Sequence, residues 1–135
     1  ESKGGLILMI DSMLVDSLQD EIATTIQDIE NDGWVVHELV VSRSESDFDI
    51  RDSIRILYDE SNQLFRAVFV LGHVTVPYSG NSAWDGHGNH NGAWPSDVFY
   101  GVMNGLWTDS RVNTGRWEMG SKSGSWRCRF RNRTG

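Results

Sequence analysis

The sequence predicts an α/β protein: an open parallel sheet in strand order 2-1-3, with room for one further short strand, in three layers with helices on both faces, followed by a long irregular C-terminal region. Three observations carry this expectation. Apolar runs of strand length alternate with segments of helical period over residues 6–71. The connecting segments are long enough to force parallel pairing, since a crossover of a dozen or more residues returns the chain in the same direction. From residue 72 onward the composition changes, with 11 of the 14 glycines, both prolines and 5 of the 6 tryptophans, so regular elements give way to loops.

Leu6-Ile7-Leu8-Met9-Ile10 is a continuous apolar run closed by Asp11, the pattern of a strand buried on both faces. Asp16 or Ser17 is placed to cap a helix whose apolar positions Leu18, Ile22, Ile26 and Ile29 recur at intervals of four and three. Asn31-Asp32-Gly33 ends it, and Trp34-Val35-Val36-His37-Glu38-Leu39-Val40-Val41, rich in β-branched residues, is the second strand. A polar loop over residues 42–46 leads to Asp47 or Asp49, either of which opens a second helix with Ile50, Ile54, Leu57 and Tyr58 along one face. Asn62 stops that helix before the third strand, residues 65–71. Right-handed crossovers stepping out to both sides of the first strand put the two helices on opposite faces. The order reverses between strands one and three, where α/β sheets present functional groups, and Asp11, Gly72 and His73 share that rim.

Beyond the sheet, residues 98–106 accommodate one short strand or turn of helix. Residues 111–135 alternate Arg, Ser and Gly without a clear core face, so the expected organisation is an α/β subdomain over 1–110 and a basic tail over 111–135 that reads as a fragment end. Charge follows the same division, with net −13 over residues 1–110 and +6 over residues 111–135. An acidic body repels phosphate backbones, which argues against a nucleic-acid partner. No apolar run reaches the length of about 18 residues that a bilayer requires, so no membrane span is expected. The first residues lack a basic start and long apolar stretch, and localisation stays open.

The densest polar chemistry is Asp85-Gly86-His87-Gly88-Asn89-His90-Asn91-Gly92 followed by Asp97. Asp85, His87, His90 and Asp97 are the donor types that hold a divalent metal. The same residues are equally what turn-rich loops are made of, so a structural role is the favoured reading and no cofactor is expected. His73 either caps backbone carbonyls or acts on a ligand. Asp11 anchors a loop through backbone N–H groups, the favoured role, or coordinates a ligand. The turn after the first strand has no glycines to let a phosphate approach. Trp84, Trp94, Trp107 and Trp117 could form a platform for a sugar or peptide, though packing of the loops is favoured. Cys128, the single cysteine, excludes an internal disulfide and stands between Arg127 and Arg129 without a recognisable base.

Three segments carry a resemblance: Val70-Leu71-Gly72-His73-Val74-Thr75-Val76-Pro77, then Pro95-Ser96-Asp97-Val98-Phe99-Tyr100-Gly101, then Asn104-Gly105-Leu106-Trp107-Thr108-Asp109. Over residues 6–110 the chain resembles the amino-terminal half of the catalytic domain of gingipain-type cysteine peptidases, whose fold is caspase-like. Two positions depart from that pattern, His73 and Asn104, where the family has acidic residues. The resemblance implies that the catalytic His-Gly turn and strand-end cysteine come downstream of the Ser-Asp segment. His87-Gly88 lies upstream of it, and Cys128 is not preceded by an apolar strand, so neither takes the catalytic role and no catalytic residue is assigned. The expected function is a non-catalytic subdomain that packs against a catalytic half and is inactive by itself; the alternative is a metal- or small-ligand-binding module using residues 85–97. The resemblance further implies export in a bacterium and a missing catalytic subdomain as partner. A three-stranded sheet leaves two edges open, which adds a homodimer through a sheet edge as an expectation.

Overall fold

The computed structural model of the chain describes residues 2–78, 86–90, 92, 94–112 and 124–130. It divides into two compact units, Glu1–Thr75 and Val76–Gly135, the boundary lying beside the compositional shift at Gly72.

In the first unit, strands β1 (Gly4–Asp11), β2 (Trp34–Val41) and β3 (Phe65–Leu71) form a parallel sheet in the order β2-β1-β3. Helix α1 (Gln19–Asn31) joins β1 to β2, and α2 (Asp47–Glu60) joins β2 to β3. The unbroken apolar run of β1 is explained by its central place, because every residue of that strand is buried. Leu6, Leu8 and Ile10 point to one face, where Ile22 of α1 closes a core flanked by Leu18, Ile26, Ile29, Val36, Ala67 and Leu71. Ile7 and Met9 point to the other face and are equally inaccessible, as are Ile50 and Ile54 of α2, the helix that the second right-handed crossover carries to that side. Each such side chain contributes roughly 1.5–3 kcal/mol of burial free energy.

The helix starts differ from the sequence expectation. Neither Asp16 nor Ser17 caps α1. Leu18 precedes the first helical residue with no side-chain cap, and residues 12–17 are a turn closed by the Leu14 N–H donating to the Asp11 carbonyl at 2.9 Å and the Leu18 N–H to the Leu14 carbonyl at 2.9 Å. Helix α2 is capped by Ser46, one residue before Asp47: its hydroxyl oxygen accepts from the Asp49 N–H at 3.2 Å and donates to the Asp49 carboxylate at 2.6 Å. The reciprocal pair is a short relative of the capping box.

One close approach shapes the amino-terminal end of the sheet. A Cβ on Gly5 would stand 2.5 Å from Cδ1 of Phe65, so the ring of this β3 residue lies across the central strand where that strand has no side chain. It reaches β2 on the far side, meeting the His37 ring edge-on at a centroid distance of 5.7 Å.

The second unit contains a 3-10 turn (Gly88–His90), the short helix α3 (Val98–Gly101) and two strands, β4 (Gly105–Val112) and β5 (Gly124–Phe130), paired antiparallel. The turn of helix expected over 98–106 is α3. Within the C-terminal region the strand pair is regular structure among the described residues. Cys128 stands within β5 in register with Trp107 of β4. The signal was present in Trp126, Cys128 and Phe130, which alternate with Ser125, Arg127 and Arg129 at the period of a strand.

Candidate functional site

The carboxyl ends of the three strands meet around Asp11, the last residue of β1, whose side chain has no exposure to solvent. A carboxylate can be held there only if its oxygens are matched by donors. Its Oδ1 accepts the Met13 N–H at 3.0 Å, from the loop after β1. Its Oδ2 accepts the His73 N–H at 3.1 Å, from the loop after β3, and Nε of Arg43 at 2.9 Å, from the loop after β2. A second guanidinium nitrogen of Arg43 lies 2.7 Å from the same oxygen. One carboxylate therefore takes a donor from each of the three strand-end loops.

The electrostatics agree with the geometry. The hydrogen bond from Arg43 is the strongest influence and pulls the Asp11 carboxyl down to about 2; burial opposes it, and the Met13 and His73 N–H groups with the Arg43 charge add to the lowering.

Backbone geometry fits the same arrangement. Gly72 has φ +92°, and a Cβ there would stand 2.7 Å from Cβ of Asp11 and 2.5 Å from Cδ1 of Leu14. Glycine is thus required twice, for the left-handed turn and for the contact. The loop after β2 is bound in turn: the Thr75 hydroxyl donates to the Glu45 carbonyl at 2.7 Å, and the Glu45 carboxylate accepts the Ser42 N–H at 3.1 Å.

The residues expected at the rim are accordingly brought together, Asp11 with Gly72 and His73. Of the two roles open to Asp11, loop anchoring is the one its bonds serve. His73 contributes its backbone N–H to the site, and as a residue it is exposed. Arg43 was missed by sequence reasoning. Its signal was the lone cation of the loop directly after β2, a strand whose last residue, Val41, is in register with Asp11.

The residues weighed as metal donors have a different standing. Asp85 and the side chain of His90 lie outside the described residues. His87 and Asp97 are exposed, and Asp97 precedes α3 without capping it through its side chain. Among the described residues no three His, Cys, Asp or Glu side chains come together as a metal ion would require. Trp94 keeps 52% of its surface exposed; Trp84, Trp117 and the side chain of Trp107 lie outside the described residues. Among the described residues no helix is long and apolar enough to cross a membrane.

Two segments singled out in the sequence meet within the second unit. The Ser96 N–H donates to the Pro77 carbonyl at 2.8 Å, and Tyr78 bridges to Pro95. Phe99 and Tyr100 behind them are buried, their rings edge-to-face at 5.7 Å. No family model, curated protein or solved structure matches the chain.

Proposed function

We propose that this chain is a non-catalytic α/β subdomain related to gingipain-type cysteine peptidases, whose task is to hold three strand-end loops in one fixed arrangement beside a catalytic half supplied by other residues. The observation that carries the reading is the Asp11 carboxylate. It accepts from Met13, Arg43 and His73, one donor from each of the three strand-end loops, and that convergence supports its reading as a brace for the loops. The bonded Pro77 and Ser96 segments, which carry much of the resemblance, support the kinship. A nucleophilic thiol needs a base within hydrogen-bond reach; Cys128 has no such partner in the sequence pattern, and the scaffold reading gives it no catalytic part.

The test is enzymatic and structural together. The purified chain is expected to leave fluorogenic peptides uncleaved at any P1 residue. Hydrogen exchange is expected to show protection of the 13 and 73 amides that falls in Asp11→Asn while the β1 amides stay protected. Peptide turnover by the chain that Cys128→Ala abolishes would refute the reading.

A further inference from the structure

We propose that Asn104 is a site of spontaneous deamidation, at which the backbone nitrogen of Gly105 closes on the side-chain amide and the chain acquires aspartate or isoaspartate at the head of β4. The reactants are this chain and solvent water. As the Gly105 nitrogen bonds to Cγ of Asn104, the side-chain nitrogen leaves as ammonia, taking up the proton that the backbone gives up. Water then opens the succinimide ring at either carbonyl. Breaking the bond between Cγ and nitrogen gives aspartate; breaking the bond between the Asn104 backbone carbonyl and nitrogen routes the chain through the side chain as isoaspartate.

The residue after the asparagine governs how readily the ring closes, because a Cβ there crowds the attacking nitrogen and glycine has none. Four asparagines stand among the described residues, Asn31, Asn62, Asn89 and Asn104, and of these Asn104 alone is followed by glycine. The fold also ties down the nitrogens that would attack elsewhere. Asn31 ends α1, and the Asp32 N–H behind it donates to the Asp28 carbonyl at 3.1 Å. After Asn62 the Gln63 N–H donates to the Tyr58 carbonyl at 2.9 Å. Asn89 is the middle residue of the 3-10 turn, with a histidine next. An Asp-Gly pair, which closes the same ring, is locked as well: the Asp32 carboxylate is held by Lys3 at 2.6 Å, and the Gly33 N–H donates to the Glu30 carbonyl at 2.9 Å.

Asn104 is placed otherwise. It is exposed, in a bend between β4 and the last bond of α3, which runs from the Val102 N–H to the Val98 carbonyl at 3.0 Å. Among the described residues no hydrogen bond holds its side chain. Gly105 is the first residue of β4, in register with Phe130, the last residue of β5. That rung closes one end of a two-stranded ladder. Such a ladder is by itself marginally stable and opens from its ends, and each opening presents the Gly105 nitrogen to the amide beside it. Isoaspartate then lengthens the backbone by a carbon just before the rung, which puts Gly105 out of step with Phe130.

The experiment incubates the full folded chain at mildly alkaline pH and follows each asparagine by mass spectrometry of proteolytic peptides. An isoaspartyl methyltransferase with S-adenosylmethionine marks the isoaspartate. Both readouts are resolved by peptide, since Asn91 also precedes a glycine. The peptide holding residue 104 is expected to gain the mass of an amide turned to an acid and to accept methyl groups, faster as pH rises, while Asn31 and Asn62 keep their amides. Asn104→Gln, whose longer side chain must close a larger ring, is expected to lose both signals at that peptide, with far-UV circular dichroism checking that it remains folded. In guanidinium chloride the Asn31 and Asn62 rates are expected to rise as their bonded N–H groups are released, and the Asn104 rate to change only severalfold. An Asn104 amide that survives in the folded chain and converts only in denaturant, or conversion of Asn31 or Asn62 ahead of it in the folded chain, would overturn the proposal.

Discussion

Oδ2 of Asp11 accepts the backbone N–H of His73 across 62 residues of sequence, at 3.1 Å, in the same carboxylate that holds Arg43. A backbone donor from one loop and a guanidinium from another converge on a group that sits at the end of the central strand. The carboxylate works as a knot: removing it leaves N–H groups of two loops without an acceptor and a cation without its counterion.

Asp11→Asn should therefore do more than remove a charge. An amide keeps the shape but presents N–H₂ where one of the donors now points, and an unmatched buried donor is costly. The melting temperature should fall by several degrees, with the loss of amide protection confined to residues 12–17, 42–46 and 72–75. Arg43→Ala should cost less, since the guanidinium is half exposed and the two backbone bonds remain. Differential scanning calorimetry and hydrogen exchange on the two variants check the order.

Acid should act through the same group. The Asp11 carboxyl titrates at about 2 in the folded chain against an ordinary 3.8, so between those values the unfolded chain binds the proton more readily. Its contribution is complete above about pH 4 and is lost as pH falls toward 2. Asp32, lowered by its hydrogen bond to Lys3, works in the same direction from an exposed position. Urea unfolding midpoints measured from pH 7 to pH 2 should decline through this window, and the decline should flatten in Asp11→Asn far more than in Asp32→Asn.

Gly72→Ala separates two sources of strain. At φ +92° any side chain is disfavoured, by roughly 1–2 kcal/mol, and here the new Cβ also strikes Cβ of Asp11. Gly86, with φ +82° and, among the described residues, no atom within 4 Å of its virtual Cβ, carries the backbone penalty alone. Denaturant titration should show Gly72→Ala clearly more destabilised than Gly86→Ala, the excess measuring the contact with Asp11 and Leu14.

Ser46→Ala should destabilise by about 1 kcal/mol through loss of the α2 cap, and Ser46→Asp should recover most of it, since a carboxylate also accepts from the Asp49 N–H. Electrostatic repulsion from Asp47 and Asp49 in the same turn makes Ser46→Asn the better rescue. Guanidinium chloride titrations of the three variants give the ranking.

The parts of this architecture legible in the sequence are those set by burial and period. The run from Leu6 to Ile10 could only be a strand covered on both faces, and the spacing of Ile22, Ile26 and Ile29 could only serve one face of a helix; strand order then followed from handedness. The α1 start was not legible, because the turn over residues 12–17 uses backbone bonds that no side chain announces. The rim was half legible: Asp11, Gly72 and His73 were marked by topology, but Arg43 joins them through a loop conformation that the sequence of Ser42-Arg43-Ser44 does not specify. The β4 and β5 pair was hidden by composition, since glycine, serine and arginine masked a plain alternation.

The ring of Phe65 lying over Gly5 to meet His37 makes three strands answerable to one another at a single point. A methyl group at position 5 evicts the ring; a smaller residue at position 65 leaves His37 without its neighbour and a furrow over the central strand. Substitutions at these positions should be strongly epistatic: a larger residue at 5 becomes tolerable only after 65 has shrunk, and drift at 37 is judged by what 65 has become. A lineage descending from this chain would move through that corner of sequence space in a fixed order, central strand last.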